Sequence, residues 1–192
     1  EAVLASELSP DQRFIAHGGP DRFLRIFSTE TGEVVHKIKK HTDWVTAVRF
    51  SPDGKYVASG DRNGGLHVWE TEPGGRAYSS AHGNRVVGFE WASTNVVVSA
   101  SMDGSAKMFN VDQARQLKSW GVHSGGAMSL SRSMTGHFVT SGRNRRASLC
   151  CRPAFSLRVS SRCSRDSNAT PSSSEPSLSS STSRTKGWRE RV

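Results

Sequence analysis

The chain has 192 residues, a formal net charge of +9 at pH 7 and 34% apolar residues. This length suits one ordinary domain, or one domain followed by a tail. No run of 18 apolar residues occurs, which excludes a membrane-spanning helix. The three cysteines are Cys150, Cys151 and Cys163, so the part of the chain before them depends on neither a disulfide nor a thiolate metal site.

The positive charge is concentrated at the end of the chain. Residues 1–142 contain 15 Lys and Arg against 14 Asp and Glu, whereas residues 143–192 contain 11 against 3. A basic footprint for nucleic acid is therefore a property of the last segment and not of the rest of the chain.

In chain order, the predicted elements form a repeat. Residues 9–27, SPDQRFIAHGGPDRFLRIF, align with residues 51–69, SPDGKYVASGDRNGGLHVW, at an offset of 42. Histidines follow at intervals of 41, at positions 41, 82 and 123. After each histidine come a short apolar run, a polar turn and a second run. A period of this length indicates one supersecondary unit per repeat.

Each unit is predicted to contain four strands. In the second unit they fall near residues 44–50, 55–60, 65–69 and 76–81. These runs are rich in β-branched or aromatic residues, and Pro, Asp, Asn and Gly bound them. The SPDG, NG and DG sequences suit tight hairpins, because Asn, Asp and Gly tolerate positive φ. Apolar residues on both sides of the alternation favour sheets that are covered on both faces.

The features of this repeat are typical of a known family. They are a period near 41, four strands per unit, a His before the first strand, and Trp69-Glu70 at the close of the third strand. Over about residues 2–145 the chain resembles the WD-repeat β-propeller family. The resemblance implies an all-β fold, an incomplete β-propeller of four-stranded antiparallel blades, with a disordered C-terminal tail. The expected blades span residues 1–40, 41–81, 82–122 and, incompletely, 123–142, and the tail spans 143–192.

The resemblance also implies a structural hydrogen-bonded set in each blade: the His, a Ser or Thr of the second strand, a turn Asp and the Trp. In the second unit these are His41, Ser59, Asn63 and Trp69, and in the third they are His82, Ser99, Asp103 and Phe109. The fourth unit, aligned with the second without a gap, supplies His123 and Ser141, with Asn144 in the turn and Cys150 in the aromatic position. The first unit has Asp21 and Phe27, with Ala16 in the hydroxyl position. Asn63 accepts a hydrogen bond without charge assistance, and Phe109 lacks an indole N–H.

The Ser, His and Asp residues of the repeat do not indicate an enzyme. A catalytic triad occurs once per site, whereas this trio recurs once per sheet. The chain has no G-x-S-x-G, C-x-x-C or H-E-x-x-H sequence. We therefore expect no catalytic residue, no metal site, no cofactor and no small-molecule substrate.

In the resembled family, partners dock on the face that bears the connections d–a and b–c. That implies Asp43, Trp44, Arg62, Arg85 and Met102 as partner-binding candidates, and Trp and Arg are frequent interface anchors. The predicted function is a non-catalytic scaffold for protein–protein interaction. The fold alone hosts many functions, so the partner stays unknown.

Two alternative functions remain open. One is a regulatory or sensing propeller of a multidomain enzyme or electron-transfer protein, because the second unit is similar to bacterial propeller regions, including ones joined to cytochrome-c-like domains. The other is nucleic-acid binding through the basic tail. Because three and a half blades leave sheet edges unpaired, we expect the chain to be a fragment of a larger propeller. The compartment is unknown; the cytoplasm is the default, and a larger parent protein is compatible with export.

The segment 143–192 departs from the repeat. It contains 14 Ser and 11 Lys and Arg, a composition that does not bury enough apolar surface to order a chain. One hypothesis is a native disordered tail. The other is an out-of-frame translation, because the repeat breaks inside a predicted strand rather than in a linker. The encoding DNA distinguishes the two hypotheses.

Overall fold

The computed structural model describes residues 2–72, 75–143 and 147–150, which form β-strands and the turns between them. The described strands are β1 (Ala5–Leu8), β2 (Phe14–Gly18), β3 (Phe23–Ser28), β4 (Val34–Lys39), β5 (Val45–Phe50), β6 (Tyr56–Asp61), β7 (Gly65–Glu70), β8 (Arg76–Ala81), β9 (Val86–Trp91), β10 (Val96–Ser101), β11 (Ser105–Asn110), β12 (Arg115–Gly121), β13 (Ala127–Arg132), β14 (Phe138–Gly142) and β15 (Ala147–Cys150). The described part of the chain contains no helix long and apolar enough to cross a membrane.

The strands form four antiparallel meanders, called blades 1 to 4 in chain order. Blades 1, 2 and 3 consist of β1–β4, β5–β8 and β9–β12, and blade 4 consists of β13–β15. The predicted all-β architecture of four-stranded antiparallel sheets is confirmed, and β5–β8 begin and end within a residue of their predicted positions. Strand β15 lies beyond residue 142, where the repeats were expected to end. Apart from Arg143 and β15, the expected tail lies outside the described residues.

The SPD turn that joins the first two strands of blade 2 is built by its own side chains. The Ser51 hydroxyl donates to the Asp53 carboxylate at 2.5 Å, and it accepts the backbone N–H of Tyr56 at 2.9 Å. Gly54 has a φ of 73°, which favours glycine because it has no Cβ. Ser9 and Asp11 make the same bonds in blade 1. The sequence SPD therefore sets this hairpin locally in both blades.

The blades stack face to face, and the core lies between them. Between blades 1 and 2, Leu24 and Ile26 pack with Val57 and Trp69 in one buried cluster. The cluster between blades 2 and 3 contains Leu66, Val68, Phe89, Trp91, Val97 and Phe109. Phe138 of blade 4 packs with Val98 of blade 3. Since both faces of blades 2 and 3 are covered, their middle strands are apolar on both sides of the pleat.

Charged side chains link the first strands of neighbouring blades. Arg49 on β5 lies 3.1 Å from the Glu7 carboxylate of β1 and 3.3 Å from the Glu90 carboxylate of β9. Burial raises the pKa of Glu7 and of Glu90, while the positive charge of Arg49 acts in the opposite direction on both. Arg132 on β13 acts on Glu90 in the same way. Positive and negative side chains thus alternate across the four blades.

The end that bears the β2–β3, β6–β7 and β10–β11 turns and the connections between blades is called the upper end. There, each inter-blade connection is tied to a turn of the preceding blade. Val45 donates its N–H to the Gly19 carbonyl at 3.0 Å, and His82 donates to the Gly64 carbonyl at 2.9 Å. The upper loops of successive blades therefore form one continuous surface. The opposite end, with the β1–β2 and β3–β4 turns and their equivalents, is called the lower end.

Candidate functional site

Blade 2 contains a hydrogen-bonded chain of four side chains. His41 lies 3.1 Å from the Asp61 carboxylate through Nδ1 and 2.7 Å from the Ser59 hydroxyl through Nε2. The indole N–H of Trp69 donates to Ser59 at 2.9 Å. A carboxylate only accepts, so a neutral His41 carries its proton on Nδ1 and accepts the Ser59 hydroxyl proton at Nε2. Each member then satisfies its neighbour.

The acidic member of this hydrogen-bonded set is Asp61. The prediction that Asn63 would take the place of the turn Asp was wrong. Asp61 is the last residue of β6 and fully buried, whereas Asn63 is exposed and donates its backbone N–H to Asp61 at 3.0 Å. Although burial alone raises the pKa of Asp61, the bonds from His41 and the Gly65 backbone N–H lower it below the usual range.

Gly65 makes room for this carboxylate. A Cβ added at Gly65 would lie 2.5 Å from Oδ2 of Asp61, which is closer than side-chain atoms approach each other. The pairing of an acid at the end of the second strand with glycine four residues later is a signal that sequence reasoning missed.

In blade 3 the buried histidine has a different partner at Nδ1, the Ser105 hydroxyl. His82 contacts the Ser99 hydroxyl at 2.7 Å and the Ser105 hydroxyl at 2.9 Å. Ser105 in turn donates to Asp103 at 2.6 Å, so Nδ1–H of His82 donates to Ser105. Phe109 is fully buried beside them, and it offers no N–H. The predicted His82, Ser99 and Asp103 do lie together: Ser105 bridges the imidazole and the acid, and Nδ1 of His82 also lies 3.4 Å from the Asp103 carboxylate.

These contacts separate the pKa values of the two ionisable groups of blade 3. Burial lowers the pKa of His82 to about 4. Burial alone raises that of Asp103, but hydrogen bonds from Ser105 and from the Gly83 backbone N–H hold it at about 2. At neutral pH the imidazole is therefore neutral and the carboxylate is ionised.

In blade 4 the hydroxyl partner of His123 is Thr140, at 3.1 Å, so the prediction of Ser141 was wrong. Ser141 bonds to Ser129 instead. In blade 2 Phe50 pairs with Val57, but at the equivalent place in blade 4 Arg132 pairs with Phe138. The blade 4 connection is thus one residue shorter, and a shift of one residue moves every side chain of a strand to its other face. Asn144 and the Cys150 side chain lie outside the described residues.

In blade 1 the position that Ser59 holds in blade 2 belongs to His17, and the assignment of Ala16 was wrong. Ile15 pairs with Leu8 as Val57 pairs with Phe50, which puts His17 two residues further on. Its ring stacks on Phe27 with centroids 4.8 Å apart. Asp21 makes an ion pair with the buried Arg25. Ring stacking therefore holds the strands of blade 1 where hydrogen bonds hold those of blade 2.

The polar set of blade 2 is buried. In blade 2 the exposed fractions are 5% for His41 and 0% for Ser59 and Asp61. Their bonding capacity is used within the blade, as buried polar groups require. Within the described ranges, no group of three His, Cys, Asp or Glu side chains is placed to hold a metal ion. The arrangement in blade 2 ties His41, which precedes β5, to strands β6 and β7.

The partner-binding candidates lie at the upper end. Trp44 is 43% exposed, and the Arg62 guanidinium lies 5.1 Å from its ring centroid. Arg62 also donates its backbone N–H to the Trp44 carbonyl at 2.9 Å. Asp43 precedes them and accepts the Trp44 backbone N–H at 2.8 Å. The structure thus brings an exposed aromatic ring and a cation together in blade 2, where a cation over a ring is attracted by its electron-rich face.

Arg85 and Met102 occupy the equivalent places in blade 3. The backbone N–H of Met102 donates to the Arg85 carbonyl at 2.9 Å, as Arg62 does to Trp44. Arg85 is exposed and Met102 is half-buried. Blade 4 repeats the bond, because Arg143 donates to the Gly126 carbonyl at 3.3 Å. Sequence reasoning did not select Arg143, since it falls in the first residue of the expected tail.

Comparison with known proteins agrees with this geometry. Residues 32–70, which end at the Trp69-Glu70 pair, match the family model described as WD domain, G-beta repeat. The match covers β4 to β7 and includes all four members of the blade 2 chain. No curated protein sequence matches the chain.

Solved structures show the same fold. The chain is 22% identical to the computationally designed protein Ika4, with a TM-score of 0.70 over 78% of this chain and 90% of that one. It is 23% identical to U3-55K, with a TM-score of 0.65 over 77% of this chain and 51% of that one. For the WD40 repeats of RRP9 the values are 24%, 0.67, 77% and 50%. The chain thus spans about half the length of these two proteins. Residues 32–70 carry the WD-repeat match, and the fold shared with these structures is that of β-propeller blades.

Proposed function

We propose that this chain is a non-catalytic scaffold that binds a protein partner through the upper end of its blades. One contrast supports the proposal: the His, Ser and Asp side chains are buried and bonded to each other, while Trp44 and Arg62 are exposed. The side chains that could act as nucleophile, base or acid are thus bonded to one another within the fold. The groups suited to recognition face solvent.

The chemistry of the upper end suits a protein surface. Trp and Arg dominate the binding energy of many interfaces, because each buries a large area and also offers hydrogen-bond donors. Trp44 is already oriented by its contacts with Asp43 and Arg62. An oriented ring loses little conformational freedom on binding, which favours affinity.

The experiment begins with a photo-crosslinking amino acid in place of Trp44 in the full chain, expressed in its source cells. Proteins that crosslink are identified by mass spectrometry, and each is then purified and titrated against the purified chain. We expect the double variant Trp44→Ala/Arg62→Ala to weaken binding by about 10-fold or more, as hot-spot truncations do.

The lower end supplies a matched control. There the Lys55 ammonium lies 5.0 Å from the centroid of the Tyr56 ring, a cation–aromatic pair similar to the one formed by Arg62 and Trp44. We expect Lys55→Ala to leave the affinity unchanged. Equal losses from the upper-end and lower-end variants, or catalytic turnover that depends on His41, would contradict the proposal.

A further inference from the structure

The upper end carries a row of arginines without acidic partners. Arg22, Arg62, Arg85 and Arg143 are all exposed, and among the described residues none of them lies within ion-pair distance of a carboxylate. They lie in successive blades: Arg22 in blade 1, Arg62 in blade 2, Arg85 in blade 3 and Arg143 in blade 4. Each blade thus contributes one arginine to the same end, and Lys40 lies exposed in the connection between β4 and β5.

The carboxylates of the upper loops do not neutralise this row. Asp21 pairs with Arg25, and Asp103 accepts bonds from Ser105 and from the Gly83 backbone. Asp43 accepts the N–H of Trp44 within its own loop. Asp21 and Asp103 are engaged by side-chain partners, whereas Asp43 accepts a backbone N–H and leaves a carboxylate beside the exposed arginines.

The lower end has the opposite balance. Its connections contain the acidic residues Asp11, Glu30, Glu33, Asp53, Glu72 and Asp112 and the basic residues Arg13 and Lys55. One of the two cations is already paired, because Arg13 lies 3.6 Å from Glu72. The near-neutral total for residues 1–142 therefore conceals a separation of charge between the two ends of the blades.

We propose that the upper end binds an acidic polypeptide segment that crosses several blades and lies against Trp44. This inference rests on the proposed scaffold function and names the chemistry of the partner. Glutamate and aspartate side chains match the row of arginines, because a guanidinium binds a carboxylate through two parallel N–H groups. The exposed Trp44 ring provides an apolar contact beside them.

A polypeptide fits this surface better than a nucleic acid does. Asp43 lies at the centre of the row, next to Trp44, and its negative charge opposes a continuous phosphate backbone. The Arg62 guanidinium lies over one face of the Trp44 ring, which leaves that face unavailable for stacking on a base. A peptide can place an apolar side chain at Trp44 and acidic side chains on either side of Asp43.

The test titrates the full chain with fluorescently labelled probes and follows fluorescence anisotropy. The probes are a short glutamate-rich peptide with one leucine, the same peptide with glutamine for glutamate, and a uridine-rich RNA of similar length. We expect the glutamate peptide to bind more tightly than the glutamine peptide, and the difference to shrink as salt is added.

Two variants locate the binding. We expect the triple variant Arg22→Gln/Arg62→Gln/Arg85→Gln to bind the glutamate peptide about 10-fold more weakly than the wild type does. We expect the lower-end variant Arg13→Gln/Lys55→Gln to bind this peptide with unchanged affinity. Both variants retain the basic segment 143–192, so binding through that segment would leave the affinities of the wild type and the triple variant equal. Circular dichroism verifies that each variant is folded.

Three outcomes would overturn the inference: equal affinity of the triple variant and the wild type, equal binding of both peptides, or tighter binding of the RNA than of the glutamate peptide. None of these affects the crosslinking result at Trp44. A partner that crosslinks there but docks through a neutral or basic segment would refute the acidic ligand and leave the scaffold function in place.

Discussion

Blades 2 and 3 both connect their buried histidine to a carboxylate, but they use different residues to do so. In blade 2, Asp61 bonds directly to His41, and Trp69 completes the chain through Ser59. In blade 3, Ser105 carries the connection from His82 to the acid, and a phenylalanine replaces the tryptophan. The comparison shows that both repeats place a hydrogen-bond acceptor beside Nδ1 of the histidine. The acceptor is a carboxylate in blade 2 and a hydroxyl group that is itself bonded to a carboxylate in blade 3.

The two acids also differ in their contact with water. The Asp61 side chain is 1% exposed and that of Asp103 is 20% exposed. Asp61 accepts bonds from the His41 ring and from three backbone N–H groups, those of Thr42, Asn63 and Gly65. Blade 2 therefore depends on a single buried group, and blade 3 on a group that water can partly replace.

The largest expected effect is that of Asp61→Ala. It leaves the buried His41 ring and three backbone N–H groups without an acceptor, and we expect a loss of about 4 kcal/mol in the free energy of unfolding. Asp103→Ala should cost only about 1 kcal/mol, because water reaches the donors that it exposes. Urea denaturation of both variants measures the difference, and losses of equal size would remove the distinction between the two blades.

The second effect is a pH dependence to which His82 of blade 3 and His67 of blade 2 both contribute, because burial lowers the pKa of each to about 4. The pKa of His82 is about 4 in the folded chain against 6.5 as its ordinary value. The unfolded chain therefore binds the proton more readily, so the stability that neutral His82 provides is complete above pH 6.5 and is lost as the pH falls towards 4. At 1.36 kcal/mol per pH unit, the loss is about 3 kcal/mol.

Nuclear magnetic resonance titration of the His82 ring protons measures this pKa directly. Denaturation midpoints at several pH values measure the accompanying change in stability. A ring that titrates near 6.5 would show that the fold accommodates the imidazolium, and the predicted slope would then be absent.

The third effect tests the role of Gly65. Gly65→Ser forces a Cβ against the Asp61 carboxylate, and we expect a loss of about 2 kcal/mol from overpacking. Adding Asp61→Ser and Asn63→Asp gives blade 2 the residues that blade 3 has at these three positions, Ser101, Asp103 and Ser105. This triple variant should regain most of the loss. An unchanged free energy of unfolding for Gly65→Ser alone would show that blade 2 accommodates Asp61 and a serine at position 65 together, which would contradict this prediction.

Much of the fold could be predicted from the sequence because its signals are local. The SPD turns are closed by their own Ser and Asp side chains, and the strands of blade 2 follow from runs of apolar residues between those turns. The His of each unit follows from spacing, and its hydroxyl partner in blades 2 and 3 follows from the resemblance to the WD-repeat family. These features need only residues that are near each other in one repeat.

The site could be predicted less completely, since its errors come from register and from turn geometry. The ungapped alignment of the second and fourth units selected Ser141, but a connection shorter by one residue brings Thr140 to His123. The usual place of the acid selected Asn63, although Asp61 is the residue that bonds to His41. The Thr140 assignment requires the strand register, because a one-residue shift reverses the face of every side chain. The Asp61 assignment requires the geometry of the turn after β6, in which Asn63 donates its own N–H to Asp61.

The sequence by itself determined a repeat of about 41 residues, its all-β blades and the separation of a Ser- and Arg-rich segment from them. Tertiary structure alone decided which acid meets each histidine, and it brought one unpaired arginine per blade to a common end. The physical reason is that turns and strand propensities act between neighbours in the chain. The placement of charges on a surface depends on how four separate sheets stack, and no local interaction encodes it.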